Sequence, residues 1–199
     1  MQQGVFAFCK DLPARPRRPE RLFLGVFPDP EAAARIARFG RWFVRRNHLK
    51  GSLLRPERLH VSLHHVGDYK RLRTKIVYAA RQAGNGVSGC PFEMTFRRVR
   101  TFEGAPPVTG RPCRRPLVLL GDDDPVLTGL HRSLGSAMAR NGLRPATHFT
   151  PHLTVFYGPT QIPLQAIAPI RFTVTEVTLV HSMLWLSRYN ILGRWPLDN

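Results

Sequence analysis

The sequence has few cysteines, no long apolar run and few acidic residues. Its cysteines, Cys9, Cys90 and Cys113, lie far apart without CxxC spacing, which argues against a disulfide framework and against a zinc site. No apolar stretch approaches the roughly 18 residues of a membrane span, and no signal-type apolar segment follows the N-terminus. We therefore expect a cytoplasmic protein with no membrane partner.

The shortage of acidic residues leaves a large positive charge. The chain has 13 Asp and Glu against 30 Lys and Arg, for a formal net charge of +17. Such an excess attracts phosphate groups and speeds the encounter with nucleic acid, so nucleic acid is the expected partner. Neither type of glycine-rich nucleotide-binding loop is present, which argues against ATP- or NAD-dependent chemistry.

Apolar periodicity and turn residues predict an α+β fold. Residues 1–20 form a Pro- and Arg-rich basic leader, which we expect to be mobile, and residues 21–199 are expected to form one bilobed domain. Strands and helices mix without a regular β-α-β alternation, which favours α+β over a doubly wound sheet. The predicted strands are 21–27, 59–66, 92–99, 117–120, 152–157, 172–180 and 189–195; the predicted helices begin at 30, 69 and 125 and end near 46, 83 and 142.

Two segments of the sequence repeat each other. Residues 54–67 are LRPERLHVSLHHVG and residues 143–158 are LRPATHFTPHLTVFYG. Each begins Leu-Arg-Pro, continues to His-x-Ser/Thr, and reaches a glycine six or seven residues after that histidine. His60 and His152 lie about half a chain apart, as duplication of one lobe would produce.

The spacing within each motif places two reactive side chains together. In a strand, residues two apart share a face and lie about 6.6 Å apart, so His60 projects with Ser62 and His152 with Thr154. If the two strands meet across a cleft, two imidazoles and two hydroxyls converge, which suffices to hydrolyse a cyclic phosphodiester. One neutral histidine takes a proton from water, the other donates a proton to the leaving ribose oxygen, and Ser62 and Thr154 bind the phosphate oxygens.

Other polar and aromatic residues have weaker functional interpretations. The set His60, His64 and His65 lacks a well-placed carboxylate, so no metal site is predicted. His64 is expected on the face of His60, in a structural or rim role. Three aromatic side chains could stack a nucleobase, although aromatic residues in strands more often belong to the core; they are Phe156, Tyr157 and Tyr189.

At these motifs the sequence resembles the two-histidine phosphoesterase superfamily and, within it, the RNA 2′,3′-cyclic phosphodiesterase (2′-5′ RNA ligase-like) family. The similarity runs from about Arg21 to Leu197 and includes RLFLGVF, HVSL and HLTV. It implies a bilobed α+β fold with an antiparallel sheet in each lobe, a cleft between the lobes, and no metal or cofactor. It also implies that His60 is the proton donor, that His152 is the proton acceptor, and that the product is a 2′-phosphate.

The sequence departs from the family pattern at two places. Ser62 stands where threonine is common, which keeps the hydroxyl but loses the β-branch that fixes its rotamer. Phe156-Tyr157 stands where many relatives place an arginine after the second motif. These differences concern the substrate more than the chemistry.

Three functions remain open from the sequence. The first is hydrolysis of 2′,3′-cyclic phosphate ends of RNA or oligonucleotides by a monomeric enzyme. The second is the same chemistry on small cyclic nucleotides, or the reverse reaction that forms a 2′-5′ linkage. The third is a non-catalytic RNA-binding module, against which the intact histidine pair argues.

Overall fold

The sheet determines where the two motifs lie. The computed structural model describes residues 17–104, 113–184, 186 and 188–198, so the predicted leader lies outside it up to residue 16. Within these residues nine strands form one antiparallel sheet in the order β7-β4-β5-β6-β3-β1-β8-β9, with the short β2 paired to β6. The strands are β1 Glu20–Val26, β2 Ser52–Leu53, β3 Val61–Tyr69, β4 Phe92–Thr101, β5 Arg115–Gly121, β6 His152–Gly158, β7 Gln165–Val174, β8 Glu176–Met183 and β9 Arg188–Pro196.

Apart from β2, the sheet consists of two four-stranded halves that meet at its centre. One half is β7-β4-β5-β6 and the other is β3-β1-β8-β9. Only one residue pair, Val61 with Leu153, joins them along β3 and β6, whereas β1–β3 and β5–β6 pair along most of their lengths. The predicted α+β class with two lobes is confirmed.

In the described part of the chain, three α-helices cover one face of this sheet. They are α1 Pro30–Arg46, α2 Thr74–Gly84 and α3 Pro125–Arg140. α1 follows β1 but contacts β6 and β7 of the other half, while α3 follows β5 but contacts β3, so these two helices tie the halves together. The sequence Asp-Pro opens both α1 and α3: the carboxylates of Asp29 and Asp124 accept hydrogen bonds from first-turn amides.

The repeat in the sequence corresponds to a repeat in the fold. In both β1-α1-β3 and β5-α3-β6, a strand enters a helix that begins at an Asp-Pro cap, and the chain returns on an adjacent antiparallel strand. His60 immediately precedes β3 and His152 begins β6, so each His-x-Ser/Thr motif lies at the start of the returning strand. The two motifs therefore come from equivalent positions.

Two predicted boundaries were wrong. The second helix begins at Thr74 rather than at Tyr69, because β3 continues to Tyr69, which pairs with Glu20. The predicted strand 172–180 is two strands, β7 and β8, separated at Thr175. In the described residues no helix is long and apolar enough to cross a membrane.

Candidate active site

The central strand pair brings the two motifs into register. Val61 and Leu153 lie opposite each other and are both fully buried on the helix-covered face. Because neighbouring residues in a strand point to opposite faces, the residues flanking this pair project to the other side of the sheet. Extending the antiparallel register by one residue places His60 across from Thr154, and Ser62 across from His152.

All four predicted site residues line one cavity of about 730 Å³. Around them the walls carry positive charge from Arg21, Arg55, Arg58 and Arg114, and no Asp or Glu belongs to the described lining residues. Further lining side chains are Phe23, His65, Tyr157, Ser182 and Tyr189. A large open cavity with four guanidinium groups and no carboxylate favours an anionic ligand.

The two histidines are held in the same way. Nδ1 of His60 lies 2.8 Å from the carbonyl oxygen of Arg58, and Nδ1 of His152 lies 2.8 Å from that of Thr150. A carbonyl oxygen only accepts, so each Nδ1 carries a proton and donates it to the backbone two residues earlier. The Nε2 atom of each ring is left for a ligand, and each neutral ring offers it as a proton acceptor.

His60 lies in a distinctive electrostatic environment. Burial, together with the positive charges of Arg58, His152 and Arg21, lowers the pKa of His60 to about 4, although its hydrogen bond to the Arg58 carbonyl acts in the opposite direction. Phe23 packs on the imidazole with ring centroids 4.7 Å apart. His60 is therefore neutral near pH 7 when the cavity holds no anion.

His64 lies on the opposite face from the one predicted, because β3 contains bulges; its burial agrees with the structural role expected for it. Gly25 pairs with Ser62 and Leu24 with His64, so Leu63 is an extra residue that reverses the alternation of the side chains. His64 is consequently buried at 1% exposure, where it accepts a hydrogen bond from the Ala146 amide at 3.1 Å. His65 takes its place in the cavity wall.

His64 belongs to a stack of three rings behind the site. His131 lies between His64, at 4.0 Å, and Phe149, at 4.3 Å between ring centroids. The other nitrogen of His64, Nε2, donates to the His131 carbonyl oxygen at 2.8 Å. Burial and the neighbouring His64 lower the pKa of His131 to about 4. This stack anchors β3 to α3 and to the loop that leads to His152.

Arg21 and Asp68 form an ion pair beside the cavity. The guanidinium donates from Nε and Nη2 to the two carboxylate oxygens at 2.7 and 2.8 Å. Burial alone would raise the pKa of Asp68, but the hydrogen bonds and charge of Arg21 outweigh it and lower that pKa. His65 Nε2 lies 3.2 Å from the same carboxylate. The positive charge of Arg21 is thus largely compensated within the protein.

The aromatic candidates separate into core and cavity. Phe156 is buried at 3% exposure and belongs to the hydrophobic core, so it is not available to a nucleobase. Tyr157 and Tyr189 both line the cavity. Each lies against an arginine: Arg114 is 5.3 Å from the Tyr157 ring centroid and Arg58 is 4.7 Å from that of Tyr189.

The sequence interpretation missed the arginines of the cavity. Arg58 precedes His60 by two residues, so extended backbone would have placed it on the same side, but basic residues are too common here to stand out. Arg21 was recognised only as the start of a strand. Among the described residues no group of three or more His, Cys, Asp or Glu could hold a metal ion; the absence of a metal requirement stays a prediction.

Comparison with known proteins gives a consistent family and fold. Residues 28–183 match the 2′-5′ RNA ligase superfamily. The comparison with curated proteins returned no match. Among solved structures, a phosphoesterase is similar with a TM-score of 0.64 and 21% identity over 91% of this chain and 99% of its own. Apo LigT of Escherichia coli has a TM-score of 0.63 and 24% identity over 92% of this chain and 99% of its own.

Proposed function

We propose that this chain, which belongs to the 2′-5′ RNA ligase superfamily, is an enzyme that opens 2′,3′-cyclic phosphates at RNA ends. One observation carries the proposal: two His-x-Ser/Thr motifs face each other across β3 and β6 in a cavity with four arginines and no carboxylate among its described lining residues. A binding module would need the arginines but not a matched pair of histidines with free Nε2 atoms.

The phosphate is expected to bind between the two strands. The hydroxyl groups of Ser62 and Thr154 donate hydrogen bonds to the non-bridging oxygens. Each hydroxyl lies across from the histidine of the other motif. Arginines around the cavity offset the charge that develops when water adds to phosphorus. Fixed donors of this kind act most strongly where charge appears in the transition state.

The two histidines then divide the proton transfers. Nε2 of His152 accepts a proton from a water molecule whose oxygen attacks phosphorus. The bond between phosphorus and the ribose 3′ oxygen breaks, and protonated Nε2 of His60 donates to that oxygen. Phosphate remains on the 2′ oxygen, so the product is a 2′-phosphate. No metal or cofactor takes part in this scheme.

This assignment places a requirement on His60. A donor must carry its proton when the substrate is bound, yet the pKa of His60 is about 4 with the cavity empty. A bound cyclic phosphate brings a negative charge that favours the imidazolium form. Donation by His60 therefore depends on substrate binding, because His60 itself is uncharged in the free protein.

Charge and cavity size favour an oligonucleotide substrate. The net charge of +17 suits a polyanion, and the cavity of about 730 Å³ has room for more than a single cyclic phosphate. E. coli LigT has been solved in complexes with 3′-AMP and with phosphate; we propose that this chain, too, binds a nucleotide phosphate in its cavity. Action as a monomer in the cytoplasm is part of the same proposal.

The test is hydrolysis of a defined substrate without metal. An oligoribonucleotide ending in a 2′,3′-cyclic phosphate is incubated with the protein in EDTA, and the terminal phosphate of the product is located by NMR. A 2′-phosphate is expected. A 3′-phosphate would mean that the substrate lies reversed between the histidines, and no turnover would contradict the proposal. Faster turnover of a 2′,3′-cyclic mononucleotide would favour the small-molecule alternative.

A further inference from the structure

Arg58 lies at the edge of the reaction centre. It ends the short 3-10 turn Pro56–Arg58, two residues before His60, and its carbonyl oxygen accepts the hydrogen bond that orients the His60 ring. Its guanidinium lies over the ring of Tyr189, 4.7 Å from the centroid, and the Tyr189 ring is 5.7 Å from that of His60. The backbone of Arg58 thus holds His60, and its side chain lies against an aromatic neighbour of the same histidine.

The guanidinium of Arg58 differs from that of Arg21. Arg21 is held by the carboxylate of Asp68, whereas no carboxylate pairs with Arg58 among the described residues. The Nε atom of Arg58 is buried and has no hydrogen-bond partner within the described structure. Arg58 also lines the cavity, so an anion bound there is the expected counter-ion of its guanidinium.

The surroundings of Arg58 determine the kind of ligand. The cavity wall around it presents Arg21, Arg55 and Arg114, and its described lining contains no acidic side chain. The positive charge of Arg58 reaches His60, whose pKa it helps to lower. An anion placed between Arg58 and His60 would pair with the guanidinium. It would also favour the protonated imidazole and so raise the pKa of His60.

We propose that Arg58 is a phosphate-binding residue of this site, which donates from its guanidinium to a non-bridging oxygen of the cyclic phosphate. Tyr189 is its positioning residue: the ring lies against the guanidinium, 4.7 Å from its centroid to Cζ, and by restricting the side chain it lowers the entropy lost when the phosphate binds. The role in turnover rests on the proposed function, whereas the binding of a tetrahedral anion does not.

Calorimetry with inorganic phosphate tests the contact without catalysis. Arg58→Gln should bind phosphate about 10- to 100-fold more weakly than the wild type, the range of a lost charge-assisted hydrogen bond. Arg46→Gln is the matched control, because Arg46 also lies over an aromatic ring, Trp42 at 5.7 Å, on α1. It should bind like the wild type. Equal affinity of Arg58→Gln and wild type, or no phosphate binding by the wild type, would overturn the proposal.

A second measurement separates phosphate binding from a structural role. If Arg58 only held β9 against the 3-10 turn, its substitution would change stability but not the phosphate affinity of the folded protein. We expect NMR to show a higher His60 pKa in Arg58→Gln than in the wild type, and an unchanged pKa in Arg58→Lys, which keeps the charge.

Arg58→Lys should bind phosphate better than Arg58→Gln but more weakly than the wild type, since lysine lacks the planar fork. If Arg58→Gln fails to fold, wild-type phosphate affinity in Arg58→Lys would overturn the guanidinium contact. Absence of cyclic-phosphate hydrolysis by the wild type would instead refute only the proposed function.

Discussion

The first prediction is that binding of a tetrahedral anion raises the pKa of His60. In the empty cavity that pKa is about 4, compared with 6.5 for an unperturbed histidine. At 1.36 kcal/mol per pKa unit, the difference corresponds to roughly 3 kcal/mol against the charged ring. A single negative charge about 4 Å from the imidazolium contributes roughly 4 kcal/mol at an effective dielectric constant near 20. One bound anion is therefore sufficient to return the pKa of His60 to about 6.5 or above.

The assay is a histidine NMR titration with and without sulfate, which keeps its charge over the range of interest. The His60 signal is assigned by its loss in His60→Gln. The titration should move from near pH 4 to near or above pH 6.5 when sulfate saturates the site. By linkage, sulfate should bind more tightly as pH falls through this interval. A His60 pKa that stays near 4 with sulfate bound would refute its role as proton donor at neutral pH.

Three further predictions follow from the same geometry. Ser62→Ala and Thr154→Ala should each weaken turnover while Ser62→Thr stays close to wild type, as steady-state kinetics will show; wild-type kinetics in the double alanine variant would mean that other donors hold the phosphate. His60 and His131 have pKa values of about 4 in the folded protein but about 6.5 in the unfolded chain, so the unfolded chain binds more protons between these two values. The free energy of unfolding should therefore fall as the pH is lowered from about 6.5 to about 4. His131→Phe keeps the ring stack and removes a buried nitrogen that has no hydrogen-bond partner among the described residues. In urea unfolding it should lose less free energy of unfolding between pH 7.5 and pH 5 than the wild type; an unchanged pH dependence would contradict this. Binding of longer RNA should weaken more steeply with salt than binding of a cyclic mononucleotide, since more counterions are released; equal salt slopes would count against an extended RNA contact.

The sequence predicted the fold class and the site residues best where reactive residue types recur at strand spacing. The α+β class and the family could both be predicted, and the structure places His60, Ser62, His152 and Thr154 in one cavity. The catalytic role of these four residues stays a prediction. Helices α1 and α3 were placed well because the Asp-Pro caps and the apolar periodicity agree.

The failures have local physical causes. The alternation of side chains along a strand assigns His64 to the face of His60, but a bulge at Leu63 reverses that alternation. A prediction that assumes strict alternation cannot detect a bulge. β2 is only two residues long and makes no pattern of its own. Arg58 lies against the ring of Tyr189, whereas Arg21 pairs with the carboxylate of Asp68. Both partners are distant in sequence, so the local sequence does not distinguish the two arginines.

The central claim is that His60 and His152 act as a couple on one phosphate. The most direct measurement compares kcat on a cyclic-phosphate-ended oligoribonucleotide for wild type, His60→Gln, His152→Gln and the double variant, with folding checked by circular dichroism. Each single substitution should reduce kcat about 10²- to 10⁴-fold. The double variant should be little worse than the poorer single variant, because residues that act as a unit are not additive. Wild-type kcat in either folded single variant would contradict the account.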